Sequence, residues 1–246
     1  MPDAVDLPPA RFAALVAPAI DRVFIRGIRA SAGGHDLVLA YGGPRAIGYL
    51  IDLRNPLAAG RTISADGLLA HYRYDDPAQV QQTVQRSVHH GLLKLADDGS
   101  ITATDRGHKF LADLAALHAG VLTELWEAEH RMQVERLVGV AGRLLHTAEP
   151  SGGPAWSVQA PPHEPPETPA SVLLLNRLSA LRAHRADAHA AAWEAAGLTA
   201  QQIVTMPPGP EREAIEDGTN ERAGAPYAAL DPEERLAMLA DLAALP

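Results

Sequence analysis

Between Arg61 and Leu117 the chain carries an order of helix and turn signals that few architectures satisfy. Thr62 or Ser64 can cap a short helix bearing Leu68 and Leu69. Tyr74-Asp75-Asp76-Pro77 then makes a turn, with Asp76 as helix cap and Pro77 at the first helical position. In the helix that follows, Val80, Val84 and Val88 recur every four residues, and Gly91 is a suitable terminator. Leu92 to Leu95, the turn Asp97-Asp98-Gly99 and Ser100 to Ala103 predict a β-hairpin. Thr104 or Asp105 opens a third helix through Phe110, Leu111, Leu114 and Leu117.

The flanks predict more helix. Ala-rich sequence after Pro8-Pro9 forms one, with Pro18 expected to kink or restart it and Ala32-Gly33-Gly34 to end it. A long helical pattern spans Leu111 to Leu145. The stretch Pro150 to Pro169 is too rich in Pro and Gly to sustain helix and reads as an extended strap, with Trp156 pinning it. Helices follow at about Ser171 to Ala196, Thr199 to Thr205, Glu211 to Glu221 and Pro232 to Leu245. The division expected is therefore N-terminal helices for dimerisation or packing (1–60), helix–hairpin unit (61–117), long connecting helix (118–149), strap (150–170) and C-terminal helical region (171–246). Only 4% of residues are aromatic, so the core is built from Ala, Leu and Val, which suits close-packed helices.

The segments Gly91-Leu92-Leu93, Asp98-Gly99-Ser100-Ile101 and Thr104-Asp105-Arg106-Gly107 resemble the end of the recognition helix, the wing and the next helix of MarR-like winged helix-turn-helix regulators. The resemblance covers about residues 61–117. It implies a mainly α fold: a winged helix-turn-helix with a small hairpin wing, joined to a helical C-terminal region. It also implies a homodimer that binds operator DNA. The side chains of the second helix suit that task, because Gln and Arg pair with base edges in the major groove. Gln81, Gln82, Gln85 and Arg86 are the candidate readers, and Thr83, Ser87, His89, Lys94 and Arg106 the candidate phosphate contacts. The wing departs from the family pattern, since its tip offers Asp97 and Asp98 where Arg or Lys is usual.

Net charge is −9, against a generic nucleic-acid coat, but it is unevenly spread. Up to Phe110 there are 12 Lys+Arg and 11 Asp+Glu; from Leu111 onward there are 9 and 19. The first half therefore tolerates contact with phosphates. Zero cysteines exclude disulfides, thiolate metal sites and thiol nucleophiles. No apolar run reaches membrane-spanning length and no leader pattern opens the sequence, so a cytoplasmic location is expected. Neither a Gly-x-Gly-x-x-Gly loop nor a Gly-x-Ser-x-Gly elbow occurs, and no cofactor is expected.

The segment Leu181-Arg182-Ala183-His184-Arg185-Ala186-Asp187-Ala188-His189 resembles one in uncharacterised actinobacterial helical proteins, a likeness that transfers no chemistry. His184 and His189 lie about 140° apart on a helix and do not converge on one ion. His184 shares a face with Asp187, and Arg185 with His189. Glu127 and His130 have the spacing seen in di-iron bundles, but a second such motif is missing. The simplest account has Asp187 and Arg185 tying the helix to its neighbours. A pocket for a small hydrophobic or aromatic effector is expected near Trp126, His130, His184, Asp187, His189 and Trp193; Trp126, Trp156 and Trp193 could line one cavity, but ordinary core packing is the simpler role for the three. The expected function is a ligand-responsive DNA-binding regulator. The alternative is a small-molecule binder or an enzyme of secondary metabolism using His184, Asp187 and His189.

Overall fold

The computed structural model describes residues 7–30 and 34–246; the break expected at Ala32-Gly33 lies outside them. The chain is mainly helical, with one two-stranded antiparallel sheet among the described residues. Helix α1 (Pro9–Ala30) continues through Pro18 rather than restarting there. Pro18 and Ala14, whose carbonyl loses its partner, are both exposed, so water replaces the missing bond. Short helices α2 (His35–Ala40), α3 (Pro44–Ile47) and α4 (Arg54–Ala58) follow.

The central unit forms as its caps predict. Ser64 receives the Gly67 N–H at the start of α5 (Ala65–His71), and Asp76 receives that of Ala78 at the start of α6 (Pro77–His89). Strands β1 (Leu93–Leu95) and β2 (Ile101–Ala103) pair with Lys94 opposite Thr102, and Ile63 adds a bridge to Ile101. Thr104 caps α7 (Asp105–Leu122). Val80 and Val84 of α6 join Leu50, Leu53, Leu92, Ile101 and Phe110 in one apolar core.

The long pattern beyond Leu111 is not one helix. A π-helical turn at Thr123–Glu127 separates α7 from α8 (Ala128–Ala148), and His130 has non-helical backbone angles. The strap also departs from expectation, because it contains helix α9 (Pro154–Gln159). Pro154 occupies the first helical position, where its absent N–H costs nothing. Helix α10 (Ala170–Ala195) has 16 buried residues among 26, so it lacks a solvent face and is the central post of the molecule. Around it stand α1, α8, α9 and α12 (Pro210–Gly224), and α13 (Pro232–Ala244) packs on α1 and α8. Helix α11 (Ala200–Thr205) is short and begins with a Thr199–Gln202 capping box. A second, larger core links α1, α8, α10 and α13 through Phe12, Val16, Leu137, Leu174, Leu178 and Leu242. No helix is long and apolar enough to cross a membrane among the described residues.

Candidate functional site: an exposed polar helix and a cavity at the seam

Helix α6 has two unlike faces. Val80, Val84 and Ser87 are buried, whereas Gln81, Gln82 and Gln85 are exposed and Arg86 is half-exposed. His89 and Lys94 are exposed as well. Ser87 requires correction as a phosphate contact. It is 1% exposed, and its hydroxyl donates to the Ala46 carbonyl at 2.8 Å, sealing α6 onto α3. Thr83 turns inward to its own helix, bonding the Gln79 carbonyl at 2.9 Å. Arg106 is held over the Tyr41 ring, 5.0 Å from its centre, and donates to the Ala40 carbonyl. Asp98 at the hairpin tip accepts the Ser100 N–H at 2.9 Å, and hydrogen bonding to the Ser100 hydroxyl and then to that N–H holds its carboxyl below the usual range.

The segment from Arg182 to Trp193 is a hub of polar contacts. Asp187 accepts the N–H groups of Ala155 (3.1 Å) and Trp156 (2.8 Å) and pairs with the Arg73 guanidinium. It thereby caps α9, whose own N-cap, Gly153, has no side chain to do so. A Cβ on Gly153 would lie 2.7 Å from the Asp187 carboxyl carbon, so glycine leaves room for the carboxylate. His184 does not bond Asp187 as an oriented imidazole. Its Nε2 meets the Ser151 hydroxyl at 2.9 Å, its ring stands edge-on to Trp156, and burial pushes its pKa down against the opposing pull of Asp187.

Arg185 and His189 share a face as their spacing requires, and both point at Glu216 on α12, at 3.6 and 3.8 Å. The Trp193 indole N–H donates to the Tyr74 hydroxyl at 3.2 Å, and that hydroxyl lies 2.7 Å from His189 Nδ1. With its oxygen already accepting, Tyr74 donates to Nδ1, which places the imidazole proton on Nε2, the nitrogen nearest Glu216. Burial lowers the His189 pKa, opposed by Glu216. Tyr74 and Arg73 belong to the turn between α5 and α6. From the sequence Tyr74 has only a place in a turn and Arg73 is not singled out; both lie more than 100 positions from their partners, beyond the reach of local spacing.

A cavity of about 650 Å³ opens beside this hub, walled by α1, α10 and α12. His71 and Tyr74 of the α5 end, Asp52, and Tyr227 beyond α12 complete it. Burial, reinforced by the cations Arg182 and Arg73, pushes His71 down to about 4. A second cavity of about 590 Å³ lies on the other side of His184, next to Arg73, Asp187 and Trp193.

The effector residues proposed from sequence are thus only partly brought together. His184 and His189 line the first cavity, and His184, Asp187 and Trp193 the second. Trp126 requires correction: it is fully buried in the large core, packed on Gly27 of α1. His130 lines neither cavity. The three tryptophans occupy three separate apolar clusters rather than one pocket. Glu127, paired with His130 by spacing alone, instead accepts the Ser171 N–H at 2.9 Å and caps α10. No group of three or more metal-ligating side chains occurs among the described residues. Comparisons with protein families, with curated proteins and with solved structures find no match to this chain.

Proposed function

We propose that this chain is a ligand-responsive, DNA-binding transcriptional regulator built on a MarR-like winged helix-turn-helix. In this reading α5 and α6 are the helix-turn-helix, β1 and β2 are the wing, and the remaining helices form the ligand-binding and dimer-forming part. The observation that carries the reading is the outer face of α6. Gln81, Gln82 and Gln85 are free in solvent with Arg86 beside them, while the opposite face is locked into the core. Amide and guanidinium groups on a rigid, outward helix are the side chains that pair with base edges.

Phosphate contacts fall to Lys94 and His89, since Ser87, Thr83 and Arg106 are engaged within the chain. The acidic hairpin tip keeps the wing from gripping phosphate, so base reading weighs more than backbone affinity. A cytoplasmic homodimer with two reading helices on one operator fits this scheme. The enzymatic alternative draws less support, because Asp187 is spent on capping α9 and leaves the Ser151–His184 contact without an orienting acid.

Mobility-shift titration against DNA from the protein's own promoter tests the proposal. Sequence-selective binding that weakens with salt is expected, and Arg86→Ala should weaken it by about tenfold or more. Equal affinity for operator and scrambled DNA, or no retardation at micromolar protein, refutes it.

A further inference from the structure

The wall that α1 gives to the larger cavity carries an apolar stripe, Ala13, Ala17, Ile20, Phe24 and Ile28, spaced at three and four residues, with Asp21, Ile25 and Arg29 beside it. The opposite wall is polar. There Arg185 stands 3.6 Å from Glu216, too far for a hydrogen bond, and its Nη1 is buried without a partner. The Glu216 carboxylate, 44% exposed, is likewise 3.8 Å from His189. A cation rich in donors and a carboxylate rich in acceptors therefore line the same end as an ion pair too long for a hydrogen bond. Polar groups in folded proteins are normally satisfied, so the under-partnered Arg185 guanidinium suits an occupant that brings it an acceptor.

The charges of the lining decide what kind of occupant. Arg29, Arg182 and Arg185 are balanced by Asp21, Asp52 and Glu216. Arg182 is already paired with Asp21, and burial pushes His71, His184 and His189 towards their neutral forms. An entering anion would shed its hydration for a lining with no surplus of positive charge, and would meet Glu216 beside Arg185. A neutral head with one acceptor for Arg185 and one donor for Glu216 meets neither cost.

We infer that the cavity between α1, α10 and α12 binds an uncharged amphipathic small molecule. Its aromatic or alicyclic body lies along the α1 stripe, and its carboxamide or hydroxy-carbonyl head bridges Arg185 and Glu216. The volume accommodates a body of two or three fused rings. This inference deepens the regulator reading and rests on it for its biological sense. The binding site itself does not require DNA.

Calorimetric titration of the full chain with 2-naphthamide, and with 2-naphthoate as the anionic counterpart, tests it. The amide is expected to bind in the micromolar range, about tenfold or more tighter than the acid. Ala17→Trp, which fills the stripe, should abolish amide binding. Glu216→Gln should narrow the preference by relieving repulsion of the acid. Equal or tighter binding of the acid, or no binding of the amide up to about 1 mM, overturns the inference, and both readings come from the unmutated protein. Amide binding without any DNA retardation would remove the regulator and leave the site; DNA retardation without amide binding would do the reverse.

Discussion

Asp187 has three partners: the Arg73 guanidinium and the N–H groups of Ala155 and Trp156. Its side chain is 7% exposed, so the carboxylate is held in place of water by these donors. Removing it leaves the Arg73 charge largely buried and two helix-end donors unmet. Asp187→Ala is therefore expected to lower unfolding free energy by about 3 kcal/mol, read from the urea midpoint at unchanged slope. Sequence spacing correctly placed His184 and Asp187 on one face, yet their partners come from Ser151, Ala155 and Trp156, some 30 residues upstream. Face-sharing within a helix is legible from periodicity. What the face meets is not, because that depends on which segment folds back across it.

At the level of elements, helices with local caps were legible and those with distant caps were not. Ser64, Asp76 and Thr104 each bond an N–H two or three residues ahead, so α5, α6 and α7 could be read from the chain itself. The last helices carry comparable signals in Thr199 and Asp231. Helix α9 has no such signal, because Asp187 supplies its cap from elsewhere; α10 was visible from composition, but its cap, Glu127, is also distant in sequence. The hairpin and α7 meet at Gly107, where a Cβ would lie 2.2 Å from the Leu92 carbonyl oxygen. Gly107→Ala must push the base of the hairpin off the helix. A loss of about 2 kcal/mol in stability is expected, measured by thermal unfolding.

Across the whole molecule, two apolar cores meet along a seam of buried polar groups. His118 of α7 is 2% exposed, and burial together with the nearby Arg54 cation pushes its pKa down to about 3. It is neutral when folded but takes a proton in the unfolded chain below its ordinary 6.5, so its contribution to stability is complete above that pH and is lost on acidification towards 3. Between pH 7 and pH 5 the loss from this group is about 2 kcal/mol, and His71 acts in the same direction. Denaturant unfolding at the two pH values should show the drop, and His118→Leu should flatten it.

The strap crosses that seam and belongs to both sides. Arg61 donates to the carbonyls of Val158 and Ala160, both at 2.8 Å, while Val158 itself is buried in the core of the helix–hairpin unit. Residues 61–117 are consequently not a self-sufficient module, despite having every local signal of one. As the chain leaves the ribosome this unit waits for some forty further residues before its hydrophobic interior can be closed. A recombination event or a truncation that separated the two halves would uncover the Ile63 and Gly67 surface against which Val158 packs rather than liberate a small independent domain.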